Sequence, residues 1–143
     1  MPRVDFYVLS QDGPDARLRT ALRLIEKSFE QQLRTYVQAQ TLADAQRLDE
    51  WLWTFNDRSF IPHEITSGAP ASHPRVLVLL GETSAPADHR QLLINLGNAL
   101  PAEIDTYDRI AEIVDVDPEN KRLSRERFKA YRDGGCTLET HNL

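Results

Sequence analysis

Hydrophobic and polar positions follow two different periods along the chain. Residues 3–9, "RVDFYVL", alternate and are rich in β-branched and aromatic side chains, which is typical of a strand. Residues 14–32 place apolar side chains three and four positions apart, which predicts an amphipathic helix. The apolar positions of that helix are Leu18, Ala21, Leu22, Ile25 and Phe29. Ser10 or Asp12 is the candidate N-cap, and Pro14 suits a first helical turn.

The same two periods recur to the end of the chain. Further strands are predicted at 34–39, 63–66, 75–80, 92–96 and 109–115. Further helices are predicted at 42–55, with Thr41 as N-cap, and at 118–133, ending at the glycine pair 134–135. This alternation predicts an α/β three-layer sandwich, in which a mostly parallel central sheet carries helices on both faces, as in Rossmann-like folds.

Length, charge and cysteine content exclude several classes of protein. A chain of 143 residues is expected to form one domain, 1–143. Its net charge of −5 argues against a protein that wraps duplex DNA with its whole surface. The single cysteine, Cys136, excludes an internal disulfide and fits a reducing cytosol. No signal peptide or membrane span is predicted, so a cytoplasmic protein is expected.

No catalytic, cofactor or metal site is predicted. The first strand-to-helix turn, "LSQDGPDARL", holds one glycine and two acids where a nucleotide site needs a glycine-rich cradle. No two histidines are four residues apart, so a zinc site has little support. Cys136 is interpreted as a small semi-buried thiol in a plain C-terminal tail, "GGCTLETHNL". The adjacent Asp49 and Glu50 are interpreted as solvated charges.

Aromatic residues concentrate in "RLDEWLWTFNDRSFIPHEI", residues 47–65. On a helical wheel, the core stripe of this helix contains Ala45, Leu48, Leu52 and Phe55. Trp53 falls roughly 100° from the stripe, Trp51 falls the opposite way, and Phe60 follows the helix. Trp53 and Phe60 are therefore candidates for an exposed patch that binds a protein partner. The alternative is that the loop folds back and buries both rings beneath the helix end.

The last helix, "ENKRLSRERFKAYRDGG", carries a basic stripe with an aromatic ring inside it. The residues within about 60° of one another on the wheel are Lys121, Arg125, Phe128 and Arg132, and Arg122 and Lys129 widen the arc. The residues expected to face the sheet are Leu123, Ala130 and Tyr131. The stripe suits a short acidic peptide with a bulky apolar end. The alternative is a solvated helix face whose cations interact favourably with the helix dipole.

Four segments together resemble one known family. "VDFYVL", "RLDEWLWTF…SFIPHEI", "LLINL" and "RERFKAYRDGG" are similar to the chi subunit of bacterial DNA polymerase III holoenzyme, over about residues 3–140. The resemblance implies a non-enzymatic accessory subunit of the clamp-loader complex, with an α/β fold that binds no nucleotide. It also implies two partners. One is the psi subunit, and the other is the acidic C-terminal tail of single-stranded DNA-binding protein, which ends in Ile-Pro-Phe.

The resemblance also assigns residues to the two partners. The tail-binding residues of the family fall on Lys121, Arg125, Phe128 and Lys129, and Arg132 joins them through the basic stripe. Phe128 stands where the family often has tyrosine, so any hydrogen bond from that hydroxyl is lost. The psi-facing aromatics fall on Trp53 and Phe60, a surface also expected to bind a helicase-like repair protein in competition with psi.

Two other functions remain open from the sequence. One is a small Rossmann-like nucleotide-binding enzyme, which rests on the strand and helix order alone. The other is direct binding of single-stranded DNA through the last helix. A single ring and the negative net charge disfavour that mode, so contact with DNA only through the binding protein is expected.

Overall fold

Seven strands and three helices form the chain in its computed structural model, which describes residues 2–11, 13, 15–54 and 60–143. The strands are β1 (Arg3–Val8), β2 (Thr35–Gln38), β3 (His63–Ile65), β4 (Val78–Gly81), β5 (Leu92–Asn95), β6 (Arg109–Val114) and β7 (Thr137–Asn142). The helices are α1 (Ala16–Glu30), α2 (Leu42–Thr54) and α3 (Pro118–Asp133), with a short 3₁₀ turn at Ile104–Thr106.

The strands form one sheet in the order β3-β4-β2-β5-β6-β1-β7, and every described pair is parallel. Helices α1 and α2 pack on one face with the larger apolar cluster, and α3 packs on the other face with a second cluster. The predicted three-layer α/β sandwich with a parallel sheet is confirmed. No described helix is long and apolar enough to cross a lipid bilayer.

Helices α2 and α3 begin where they were predicted to begin, whereas α1 is two residues shorter than predicted at each end. Thr41 caps α2, because its Oγ1 accepts a hydrogen bond of 3.2 Å from the Asp44 amide. The apolar stripes of α1 and α2 are buried as predicted, and Phe55 lies outside the described residues. Helix α1 begins only at Ala16, so Ser10 lies too far upstream to cap it; Asp12 and Pro14 are also outside the described residues.

The prediction for the strand at 75–80 is wrong at its start, since β4 begins at Val78. The Val76 amide donates to the His73 carbonyl at 3.0 Å, so the preceding residues still belong to a turn. An apolar run therefore marked the buried strand but not the point at which the chain joins the sheet.

The C-terminal segment corrects a sequence prediction, because it is a strand and not a plain tail. Strand β7 pairs in parallel with β1, with Phe6 opposite Thr140 and Val8 opposite Asn142. Four of its six residues are exposed, and only Leu138 and His141 are partly buried. A polar edge strand buries too little apolar surface to give a hydrophobic pattern, so the sequence held no signal for it.

Asp5 ties the two neighbouring strands to β1. Its buried carboxylate accepts hydrogen bonds from His141 Nε2 of β7 at 2.9 Å and from Arg109 Nη2 of β6 at 3.2 Å. Arg3 Nη2 donates to the same carboxylate at 3.2 Å. Burial raises the pKa of the Asp5 carboxyl, but the hydrogen bonds from His141, Arg3 and Arg109 outweigh burial, and the net pKa is lowered.

We expect Asp5→Asn to destabilise the fold at pH 7 and to weaken its acid sensitivity. Because the folded-state pKa of Asp5 is lowered, its stabilisation is complete above the unfolded value, about 4, and is lost as the pH falls through the folded value. Urea unfolding at neutral and acidic pH should show the gap between variant and wild type narrowing below about pH 4. A gap that stays constant would contradict this, and Glu50→Gln, at an exposed position of α2, is the control.

Candidate protein-interaction surfaces

Helix α3 is docked on the sheet through polar residues. Tyr131 is fully buried, as predicted, but Leu123 and Ala130 are only partly buried. Their predicted places against the sheet are taken by Ser124 and Arg127, with Arg127 only 4% exposed. The prediction for this face was wrong because a hydrophobic pattern places charged side chains on the surface. Arg127 is buried nevertheless, since it pairs with a buried acid.

That partner is Glu112 of β6, whose carboxylate is completely buried. It accepts hydrogen bonds from Arg127 Nε at 3.2 Å, from the Tyr131 hydroxyl at 2.6 Å and from Asn95 Nδ2 at 3.0 Å. Arg127 Nη1 also donates to the Asn98 carbonyl at 2.7 Å. Five groups, two from strands, one from a loop and two from α3, therefore fix the rotation of the helix about its axis.

Burial sets the protonation of this cluster. Burial raises the pKa of the Glu112 carboxyl, while Arg127, Tyr131 and Asn95 all favour its ionised form. Burial and the adjacent carboxylate raise the pKa of the Tyr131 hydroxyl well above its ordinary value. Tyr131 therefore keeps its proton and acts as a hydrogen-bond donor to Glu112.

A pocket of about 270 Å³ opens between α3 and strands β1, β6 and β7. It is lined by Phe6, Val8, Val114, Lys121, Ser124, Arg125, Phe128 and Thr140. Phe128 is partly buried against Phe6, with ring centroids 5.2 Å apart, and so forms one wall. We call this site the α3 pocket: an apolar floor from the sheet with two cations on its helix side.

The predicted basic stripe divides into two groups. Lys121 and Arg125 line the α3 pocket, whereas the exposed Lys129 and Arg132 do not. Among the described residues, Lys121, Arg125 and Lys129 have no ion-pair partner, and Arg132 Nε lies 3.8 Å from Asp133. The predicted stripe is therefore present, but only half of its charge faces the pocket.

Arg122 does not widen this positive stripe, as the helical wheel had suggested. It is bound by Glu119 and Glu126, each at 2.9 Å from its guanidinium. These exposed pairs follow the helix at i,i+3 and i,i+4 and leave little net charge there.

Trp53 and Phe60 form an exposed aromatic pair, which we call the aromatic surface. The residues are 61% and 51% exposed, and their rings stack with centroids 4.8 Å apart and planes 26° from parallel. The structure thus has the exposed arrangement and not the one in which both rings are buried. Trp51 is partly buried against the core instead.

A buried histidine lies beneath this pair, and sequence reasoning missed it. The His63 ring is 5.3 Å from the Trp53 ring and 5.9 Å from the Phe60 ring, between centroids. Its Nε2 is 3.0 Å from Asp49 Oδ1, so interpreting Asp49 as a solvated charge was wrong. The only signal in the sequence was that His63 lies in the aromatic-rich segment. That position does not tell whether the side chain packs under the exposed rings or in the main core.

The two surfaces lie at opposite edges of the sheet. The aromatic surface is beside β3, the first strand in the sheet order, and the α3 pocket is beside β1 and β7 at the other end. Adjacent strands are about 4.8 Å apart, so the two sites are separated by roughly 25 Å. The two sites share no residue, so filling one does not cover the other.

Comparison with known proteins identifies the family. The family model described as "DNA polymerase III chi subunit, HolC" matches residues 1–139. A protein of Pseudomonas aeruginosa named DNA polymerase III subunit chi is 38% identical over 143 residues, covering 100% of this chain and 98% of that protein. The subunit of the same name in Escherichia coli is 26% identical over 144 residues, covering 98% and 97%.

The chain belongs to the DNA polymerase III chi subunit family. A third relative of that name, from Haemophilus influenzae, is 27% identical over 138 residues, or 96% of this chain and 95% of that protein. Membership confirms the resemblance stated above and places the chain in DNA replication, among the subunits of DNA polymerase III.

In this chi-family chain, an arginine lies at the strand ends where related folds bind nucleotides. Open parallel sheets bind ligands beyond the carboxyl ends of two adjacent strands when the connections that follow them lie on opposite faces of the sheet. Strands β1 and β6 are such a pair here, since α1 and α3 pack on opposite faces. The Arg17 guanidinium donates to the Leu96 carbonyl and lies 3.9 Å from Asp115, so it is held there by groups of the protein itself.

One group of side chains among the described residues has the spacing of metal ligands: Asp5, Glu139 and His141, whose ligand atoms lie within 4.8 Å of one another. Asp5 already binds two guanidinium groups, from Arg3 and Arg109, and Arg3 also pairs with Glu139. Cations of the protein itself thus occupy the carboxylates, and the chi-family chain uses them to join strands.

Removing Arg127 should destabilise this chi-family fold far more than removing another arginine of the same helix. Arg127→Ala leaves Glu112 buried without its cation, which typically costs about 3–5 kcal/mol. Arg122→Ala removes only exposed pairs and should leave the urea midpoint nearly unchanged. Equal shifts in the two variants, measured by urea unfolding, would show that the Glu112 cluster does not hold α3.

Proposed function

We propose that the chain is a non-catalytic accessory subunit of the clamp-loader complex, which bridges the psi subunit and the acidic C-terminal tail of single-stranded DNA-binding protein. The observation that carries this proposal is the separation of a basic, apolar-floored pocket from an exposed aromatic pair at opposite edges of one rigid sheet. A bridging protein needs two sites that can be filled together, and this arrangement supplies them.

The α3 pocket suits the tail of the binding protein. The tail combines acidic residues with a final Ile-Pro-Phe, so it needs cations beside an apolar recess. Lys121 and Arg125 supply cations that have no ion-pair partner among the described residues, and Phe6, Val8 and Val114 supply the recess. Arginine can bind a carboxylate through two parallel hydrogen bonds while the Phe128 ring packs against an apolar side chain.

The remaining two cations fit a secondary role in tail binding. Lys129 and Arg132 are exposed and lie outside the pocket lining. From there they attract the acidic residues that precede the Ile-Pro-Phe end of the tail. This attraction acts over a longer range and is screened by salt.

The aromatic surface suits the psi subunit. Trp53 and Phe60 expose large apolar rings next to each other, and such residues are favoured anchors of protein interfaces. The helicase-like repair protein would compete for the same rings. In this proposal the chain works in the cytoplasm and contacts single-stranded DNA only through its binding protein.

Tail binding should depend on Arg125 and on salt. Arg125→Ala is expected to weaken binding of a labelled acidic peptide ending in Ile-Pro-Phe by at least tenfold, because a charge-assisted hydrogen bond to carboxylate is worth about 1.5–3 kcal/mol. Fluorescence anisotropy at two salt concentrations measures both effects. Arg122→Ala is the matched control, since Arg122 is on the same helix but is already paired.

The order of effects along the helix tests the pocket itself. Lys121→Ala should resemble Arg125→Ala, whereas Arg132→Ala should have the smallest effect, because Arg132 does not line the pocket. Absence of peptide binding by the folded wild type, or equal losses at Arg125 and Arg122, would argue against the tail-binding role.

Psi binding should depend on Phe60, whereas tail binding should not. Phe60→Ala is expected to weaken psi binding by about 2 kcal/mol or more, the cost of removing an interface anchor, and to leave tail binding unchanged. Isothermal titration with purified psi and anisotropy with the tail peptide measure the two affinities. Unchanged psi affinity would place the psi site elsewhere on the chain.

A further inference from the structure

His63 links the two chain segments that carry the exposed rings. Trp53 lies at the end of α2 and Phe60 lies seven residues later, at the entry to β3. The His63 side chain is completely buried and contacts both rings, at 5.3 Å and 5.9 Å between centroids. Among the described residues, His63 is thus an aromatic neighbour of both rings of the aromatic surface.

The two ring nitrogens of His63 face two different chain segments. Nδ1 lies 2.7 Å from the Ile61 carbonyl oxygen, and because a carbonyl only accepts, Nδ1 carries the hydrogen. Nε2 lies 3.0 Å from Asp49 Oδ1 of α2 without an aligned hydrogen bond. The imidazole is therefore anchored to the strand-entry segment by Ile61 and lies between that segment and α2, in contact with both exposed rings.

We propose that His63 is a positioning residue for partner binding at the aromatic surface: it fixes Trp53 against Phe60 without itself touching the partner. This inference rests on the proposed role of that surface in binding psi. Holding two large side chains in their bound arrangement removes part of the ordering cost of binding, so loss of the support should weaken binding.

The competing explanation is that His63 is simply a core residue. The chain offers a matched control, because His89 is also fully buried between a carboxylate and a carbonyl. Its Nδ1 lies 3.0 Å from Asp88 Oδ1 and its Nε2 lies 2.8 Å from the Val76 carbonyl. No ring contact joins His89 to Trp53 or Phe60 in the described part of the chain. A purely structural role predicts the same behaviour for both histidines.

The first measurement needs no partner. In a Trp51→Phe background, Trp53 is the sole tryptophan and its emission reports the ring stack. His63→Ala is expected to shift this emission to the red and to increase its quenching by acrylamide, because the ring is freed from its neighbours. His89→Ala should leave both signals at the background value. Unchanged Trp53 emission in a folded His63→Ala variant would overturn the proposal.

The second measurement is a double-mutant cycle on psi affinity. His63→Ala is expected to weaken psi binding about tenfold, and His63→Asn, which keeps a donor near the Nδ1 position, should recover part of the loss. In a Phe60→Ala background, His63→Ala should add less than a twofold loss, because the pair it positions is already broken. His89→Ala should leave psi affinity within twofold of the wild type.

The outcomes separate this inference from the function on which it rests. Additive losses in the cycle, or a parallel loss of tail-peptide binding, would mean that His63 acts through the fold, and would overturn the proposal. If folded wild type does not bind psi at all, the proposed function of the surface fails. The emission of Trp53 then still decides whether His63 positions the rings.

Discussion

The buried carboxylate of Glu112 is the constraint on which the α3 side of the molecule depends. A carboxylate inside a sheet must be paired, and the groups that pair it come largely from α3, through Arg127 and Tyr131. These two side chains lie within about 40° on the helix and so fix which face turns inward. The basic stripe then lies to one side of that face, and Lys121, Arg125 and Phe128 meet β1 and β7 at the pocket.

The sheet keeps the two surfaces apart. Its parallel strands are joined through a continuous hydrogen-bonded register from β3 to β7, so the distance between the edges does not depend on loop conformation. Strand β7 contributes Thr140 to the α3 pocket and closes its outer side. A segment with few apolar residues thus helps to form the α3 pocket because Asp5 holds it, through His141, against β1.

The sequence predicted those features that follow from local periodicity. Helix stripes, buried strands and the position of Trp53 away from the core side of α2 follow from spacing within ten or fifteen residues. Arg127, His63 and β7 did not, because each contacts a polar partner on another element: Glu112 for Arg127, Asp49 for His63 and Asp5 for β7. A polar side chain reveals burial only when its partner is known, and hydrophobic patterns do not encode partners.

The charge distribution supports the proposed binding of an acidic tail by an acidic protein. The net charge of −5 repels any polyanion at distances within a Debye length, about 8–10 Å, so a long nucleic acid gains little from approaching the surface as a whole. An anion is attracted only locally. Arg122 and Arg127 are paired with carboxylates of the protein itself, whereas Lys121 and Arg125 have no ion-pair partner among the described residues. A ligand with a few carboxylates and a bulky apolar end satisfies both the cations and the apolar floor. A nucleic acid, which is charged along its whole length, satisfies only the cations. The surrounding acidic surface repels the rest of it.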